Sequence, residues 1–160
     1  MIDNLSCIHE THADDVASAI ATSVAYTWHS GTFEIEQHTI RLPAMPTGQN
    51  GSGASATRRE WFDAFGRVTR TLGPAHTALV AGTPTSIRAA AWTFYNDAAH
   101  ETRYAHGYAL AASPYTEAVA GPISITRTDR DGRTTEQIQA AYNGTLAGLA
   151  SATILQSDYT

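Results

Sequence analysis

The sequence contains no lysine and a single cysteine, Cys7. One thiol excludes an internal disulfide and a thiolate zinc cluster. All 10 basic side chains are Arg, set against 15 acidic ones, for a formal charge of −5. That balance gives no basic footprint, so no direct sequence-specific nucleic-acid binding is expected. Long apolar runs are missing too, and none approaches the ~20 residues of a membrane-spanning helix. The opening Met1-Ile2-Asp3-Asn4 has neither a basic stretch nor an apolar one, so no secretory signal is recognisable. A cytoplasmic or virion location is the expectation. Large aliphatics are also scarce: Leu, Ile, Val and Phe number 27, whereas Ala alone numbers 28. Such poverty borders on the disordered range, but the high net charge that accompanies disorder is lacking. A chain of this size hides about 70% of its unfolded surface. The expectation is one folded domain over 1–160 with thin, alanine-packed contacts.

What is present reads as α+β: about three helices packed on a mainly antiparallel sheet, with a C-terminal hairpin or meander. Residues 11–29 form the first helix candidate, with Asp14 and Asp15 in its first turn and Val16, Ile20 and Val24 on one stripe. Thr32–Leu42 is a strand in which Phe33 and Ile35 have one parity and Ile40 and Leu42 the other, which calls for a bulge near Gln37 or burial on both faces. The segment 43–56, rich in Pro, Gly and Ser, is a long flexible loop. Thr57 caps a second helix whose core face is Trp61, Phe65, Val68 and Leu72. His76–Gly82 is a short strand. A third helix opens at Thr83-Pro84 and buries Ile87, Ala90, Ala91, Phe94, Tyr95 and Ala98. Asp129-Arg130-Asp131-Gly132 turns a hairpin. For 143–156, Asn143-Gly144 and the two interior glycines favour another strand over a helix.

Several clusters invite chemistry. His9-Glu10-Thr11-His12 could place two imidazoles on one metal, but a third ligand is lacking and an N-cap cluster explains it better. Ala81-Gly82-Thr83-Pro84-Thr85-Ser86 could hold a phosphate at a helix start, but it has neither P-loop Lys nor a three-glycine fingerprint. Asp129-x-Asp131-Gly132 lacks the remaining ligands of a calcium loop. No metal site, cofactor or catalytic constellation is therefore expected. His100, Glu101, Tyr104 and His106 mix acid–base groups with aromatic walls, as a small-molecule pocket would. Arg59, Arg67 and Arg70, with Asp63 between them, line the outer face of the second helix, where Arg forks suit an interface. Trp92 lies off the apolar stripe of the third helix beside Arg88, Asn96 and Arg103, to be covered by the long loop or by another chain; Trp and Arg are enriched at binding hot spots.

These observations favour a non-enzymatic assembly or interaction subunit acting through protein–protein surfaces. Its partners would be copies of itself or other protein subunits, for instance in a phage virion at the head–tail junction or tail. One competing reading is a small enzyme or ligand-binding domain using the His/Tyr-lined pocket. Another is an inhibitor that blocks a host factor with Trp92 as anchor.

Overall fold

The computed structural model describes residues 8–10, 20–50, 52–142 and 145–150. Among them are ten β-strands, two short 3-10 turns and one α-helix of 5 residues. The protein is nearly all-β, which corrects the expectation of three helices on a sheet. Two compact units divide it, Met1–Ala75 and His76–Thr160.

The first unit is an antiparallel meander of β1 (Ile8–Glu10), β2 (Ile20–Trp28), β3 (Ile35–Ala44), β4 (Ser55–Phe62) and the first part of β5 (Val68–Val80). β2 replaces the second half of the expected first helix; residues 11–19 of that helix, with His12, Asp14 and Asp15, lie outside the described residues, as does Cys7. The parity switch in β3 is met by a bulge: Thr27 pairs with Gln37, whereas Trp28 pairs with Ile35. The loop between β3 and β4 is closed by the Gly53 amide donating to the Met45 carbonyl at 2.9 Å and by a 3-10 turn, Thr47–Gln49.

The expected second helix is instead a hairpin, β4 and β5 joined by Asp63-Ala64-Phe65-Gly66-Arg67. Asp63 Oδ1 accepts the Phe65 and Arg67 amides, each at 2.9 Å. The Gly66 amide donates to the Asp63 carbonyl, and Gly66 has φ +74°. The same device recurs in the second unit. There Asp129 Oδ1 accepts the Asp131 and Arg133 amides at 2.9 Å, and Gly132 has φ +79°. One five-residue pattern, Asp-x-x-Gly-Arg, thus builds both turns: the carboxylate holds two amides, and Gly takes the left-handed residue.

The second unit continues from the end of β5 through β6 (Thr83–Asn96), β7 (Glu101–Leu110), β8 (Glu117–Val119), β9 (Ile123–Thr128), β10 (Thr134–Ala140) and α1 (Leu146–Ala150). β6 is the expected third helix. Its Thr, Ile, Phe and Tyr side chains fit a pleated surface better than a helix. Ala81 and Gly82, both at positive φ, turn the chain before it, so Thr83-Pro84 starts a strand and not a helix. β6 pairs with β7 along its length, Ile87 with Leu110 through Asn96 with Glu101. On its other side β7 is shared: β9 pairs with 101–104 and β8 with 107–109. β8 comes so close that a Cβ on Gly107 would lie 2.0 Å from the Ala118 carbonyl oxygen. α1 overturns the strand expected over 146–150; the flanking residues 143–144 and 151–160 lie outside the described set. Ala90, Trp92, Ala105, Ala109, Ile123, Ile125 and Leu149 are buried. Cross-strand pairing sets the small Ala105 opposite Trp92, leaving room for the indole.

Candidate functional site

Strand register sorts the singled-out residues of the second unit onto two faces, because opposed residues on paired strands project to the same side. Arg88, Trp92 and Asn96 alternate on β6, and Arg103 stands opposite Phe94, so the four do share one face. It is the buried face. Trp92 is 3% exposed and Arg103 4%, which corrects the expectation of an outward indole. Glu101 shares that face, buried at the centre of an ion network. Its Oε1 accepts Arg103 Nε at 2.5 Å and its Oε2 accepts Arg127 Nε at 2.7 Å. Arg127 also donates to Glu136 at 2.6 Å, and Arg103 Nη1 donates to the Leu149 carbonyl at 3.0 Å, tying α1 to the sheet. Burial pushes the Glu101 carboxyl up, but hydrogen bonds from Arg127 and Arg103 and their charges outweigh it, so its pKa lies below the ordinary 4.5.

Tyr104 and His106 project from the opposite side of β7, their rings 6.3 Å apart and the Tyr104 side exposed. The four residues of the anticipated pocket are therefore not brought together. Glu101 faces inward, Tyr104 and His106 outward, and His100 is exposed at the turn between β6 and β7, where φ is +50°.

In the first unit the three arginines separate. Arg67 belongs to the hairpin turn, its Nε donating to Asp63 Oδ2 at 2.7 Å. The two are four apart in the sequence, but the pair is made in a turn and not on a helix. Arg59 and Arg70 project from the same face as Trp61, with the Arg70 guanidinium 4.3 Å above the indole. The other face carries a row that sequence reasoning missed, Tyr26–His38–Glu60. His38 Nε2 lies 2.6 Å from Glu60 Oε2, Arg58 donates to Glu60 Oε1, and Phe62 packs edge-on to the imidazole at 5.1 Å. Both carboxylate oxygens are engaged, so the row is a cross-strand clasp. Among the described residues no group of three or more His, Cys, Asp or Glu could hold a metal ion.

The hairpin tips of the first unit stand out. Phe33, between β2 and β3, is 95% exposed, and Phe65, between β4 and β5, is 78% exposed. In an antiparallel meander these two reversals lie at one end, so both rings project there, together with Trp28 at the end of β2. Neither tip is slack. The His29 amide donates to the Glu34 carbonyl at 2.9 Å and the Glu34 amide to Thr32 Oγ1 at 3.0 Å, while Arg67 stacks 5.1 Å over the Phe65 ring. Phe65 reads as a helix core residue in the sequence and Phe33 as a strand residue; the Asp-x-x-Gly-Arg pattern around Phe65, shared with 129–133, was the signal for a turn. Comparison with protein-family models, with curated proteins and with solved structures finds no match.

Proposed function

We propose that this chain is an association module that binds protein surfaces and performs no chemical step itself. The observation that carries the proposal is the pair of aromatic hairpin tips, Phe33 and Phe65, held at one end of the first unit. Covering each ring would contribute about 1.5–3 kcal/mol. Because hydrogen bonds already order both loops, little conformational freedom is lost on docking. Such fixed, exposed aromatics suit a partner subunit, and the reading takes that subunit to be a copy of this chain.

The test is sedimentation of the wild-type chain over a range of concentrations beside the variant Phe33→Ser/Phe65→Ser. The reading expects concentration-dependent association that the variant weakens at least tenfold, without loss of thermal stability. Equal association by both proteins, or a wild type that stays monomeric, would overturn it.

A further inference from the structure

We infer that β10 is a pairing edge for a second copy of this chain, joined antiparallel about a two-fold axis midway between Ile138 and its own mate. This rests on the association reading above and adds the strand edge through which the copies pair. Strand order places β10 last, so among the described residues only β9 pairs with it. Thr134, Thr135, Glu136, Gln137 and Gln139 are exposed. An open strand edge presents a row of unpaired N–H and C=O groups that templates another strand. Natural edges are blunted by Lys, Pro, β-bulges or inward charge; β10 has no Lys or Pro, its bulge at Thr135 precedes the stretch 136–140, and its inward-facing charge shares the face of Glu101. Its one charge, Glu136, is already held by Arg127 at 2.6 Å.

Geometry selects the register. A two-fold axis relating two copies edge to edge runs perpendicular to the sheet, so it passes midway between one residue and its own mate and pairs positions of equal parity. The bulge at Thr135, between Thr134 and Glu136, leaves 136–140 as the regular stretch. Its midpoint is Ile138. Ile138 then meets Ile138 of the second copy, and positions 137 and 139 meet one another, joining two Gln amides. Glu136 faces position 140. The two Glu136 carboxylates end up on opposite sides of the axis, about 13 Å apart along the strands. Centring on Glu136 instead would set like charges face to face, which is destabilising. Ile138 also ends the row Phe94–Arg103–Ile125–Ile138, and its half-buried side chain would gain a cover from its mate. A second copy offers a strand of equal length and matched register, whereas β1, with only 3 residues, offers little.

The test uses the full chain with Cys7→Ser, into which Ile138→Cys, Gln137→Cys or Gln139→Cys is introduced singly. Directly opposed residues in an antiparallel pair have Cα atoms about 4.5–5.5 Å apart, within disulfide range. Mild oxidation is expected to cross-link Ile138→Cys at least tenfold more than either neighbour. Separately, Ile138→Lys is expected to weaken sedimentation-detected association at least tenfold. Equal cross-linking at the three positions, or none, overturns the proposal. Association lost in Phe33→Ser/Phe65→Ser but indifferent to Ile138→Lys overturns β10 pairing and leaves the tip reading standing. A monomeric parent at every concentration overturns both. Should Ile138→Lys not fold, the cross-linking comparison decides.

Discussion

Replacing Glu101 by Gln removes one charge and almost no volume, at the centre of a buried ion network. The cost follows from who is left behind. Arg103 is 4% exposed, and without the carboxylate its guanidinium keeps the Leu149 carbonyl at 3.0 Å but loses the Glu101 charge. Breaking a buried pair from one side costs about 3–5 kcal/mol. Arg127 adds little, because its side chain is 41% exposed and still held by Glu136, which limits its share to about 0–1 kcal/mol. Glu101→Gln is therefore expected to destabilise by about 3–5 kcal/mol in urea unfolding at neutral pH. The double change Glu101→Leu/Arg103→Met should recover most of that loss, since an apolar pair of similar volume can replace a buried ion pair. The pH dependence has a definite sign. The folded Glu101 pKa lies below its ordinary 4.5, so its stabilisation is complete above that value and is lost as pH falls through the depressed folded value. Asp63, lowered by hydrogen bonds from Arg67 and Phe65 that outweigh burial, acts in the same direction. Wild type should thus lose stability below about pH 4.5 more steeply than Glu101→Gln. A loss under about 1 kcal/mol at neutral pH, or identical acid limbs, would refute the reasoning.

Trp92→Ala should cost about 3–5 kcal/mol in the same unfolding assay, because the indole is buried over Ala105. Trp92→Phe should cost much less, since the buried indole N–H has no hydrogen-bond partner among the described residues. Gly132→Val should destabilise by about 1 kcal/mol or more, read by thermal melting, because a β-branched residue is poorly suited to φ +79°; calcium should leave the melting temperature unchanged. Gly107→Ala is expected to cost about 1–3 kcal/mol and to raise amide exchange in β8, because the new Cβ would collide with the Ala118 carbonyl.

Two physical ambiguities hid the strands. A spacing of four residues lies on one face of a helix and also on one face of a strand, so Ile20 and Val24 fit both. Over 83–96, Ile87, Ala91 and Tyr95 share one strand face while Ala90 and Phe94 share the other, and the two sets together imitate a helical stripe. Alanine, the commonest residue, strengthened that imitation through its helix propensity. The turn at 129–133 was legible from Asp and Gly at the right offsets. The same pattern at 63–67 was masked by Trp61, Phe65, Val68 and Leu72, which looked like a core stripe. For the site, the grouping of Arg88, Trp92, Asn96 and Arg103 on one face was legible. Its inward direction was not, because only strand pairing shows that Arg103 finds Glu101 across that face. The exposed tips were illegible for a related reason: a phenylalanine inside a turn cannot be told from a core phenylalanine until the turn is recognised.

The assignment on which both faces, the buried network and the exposed edge depend is that Thr83–Asn96 is a strand paired with Glu101–Leu110. Backbone Cα and Cβ chemical shifts across Thr83–Asn96, together with cross-strand amide–amide contacts to β7, measure this directly. The account predicts strand-type shifts throughout and contacts in the register that sets Trp92 opposite Ala105. Helical shifts over these residues, or a register displaced by one so that Trp92 faces the side of Tyr104 and His106, would contradict it.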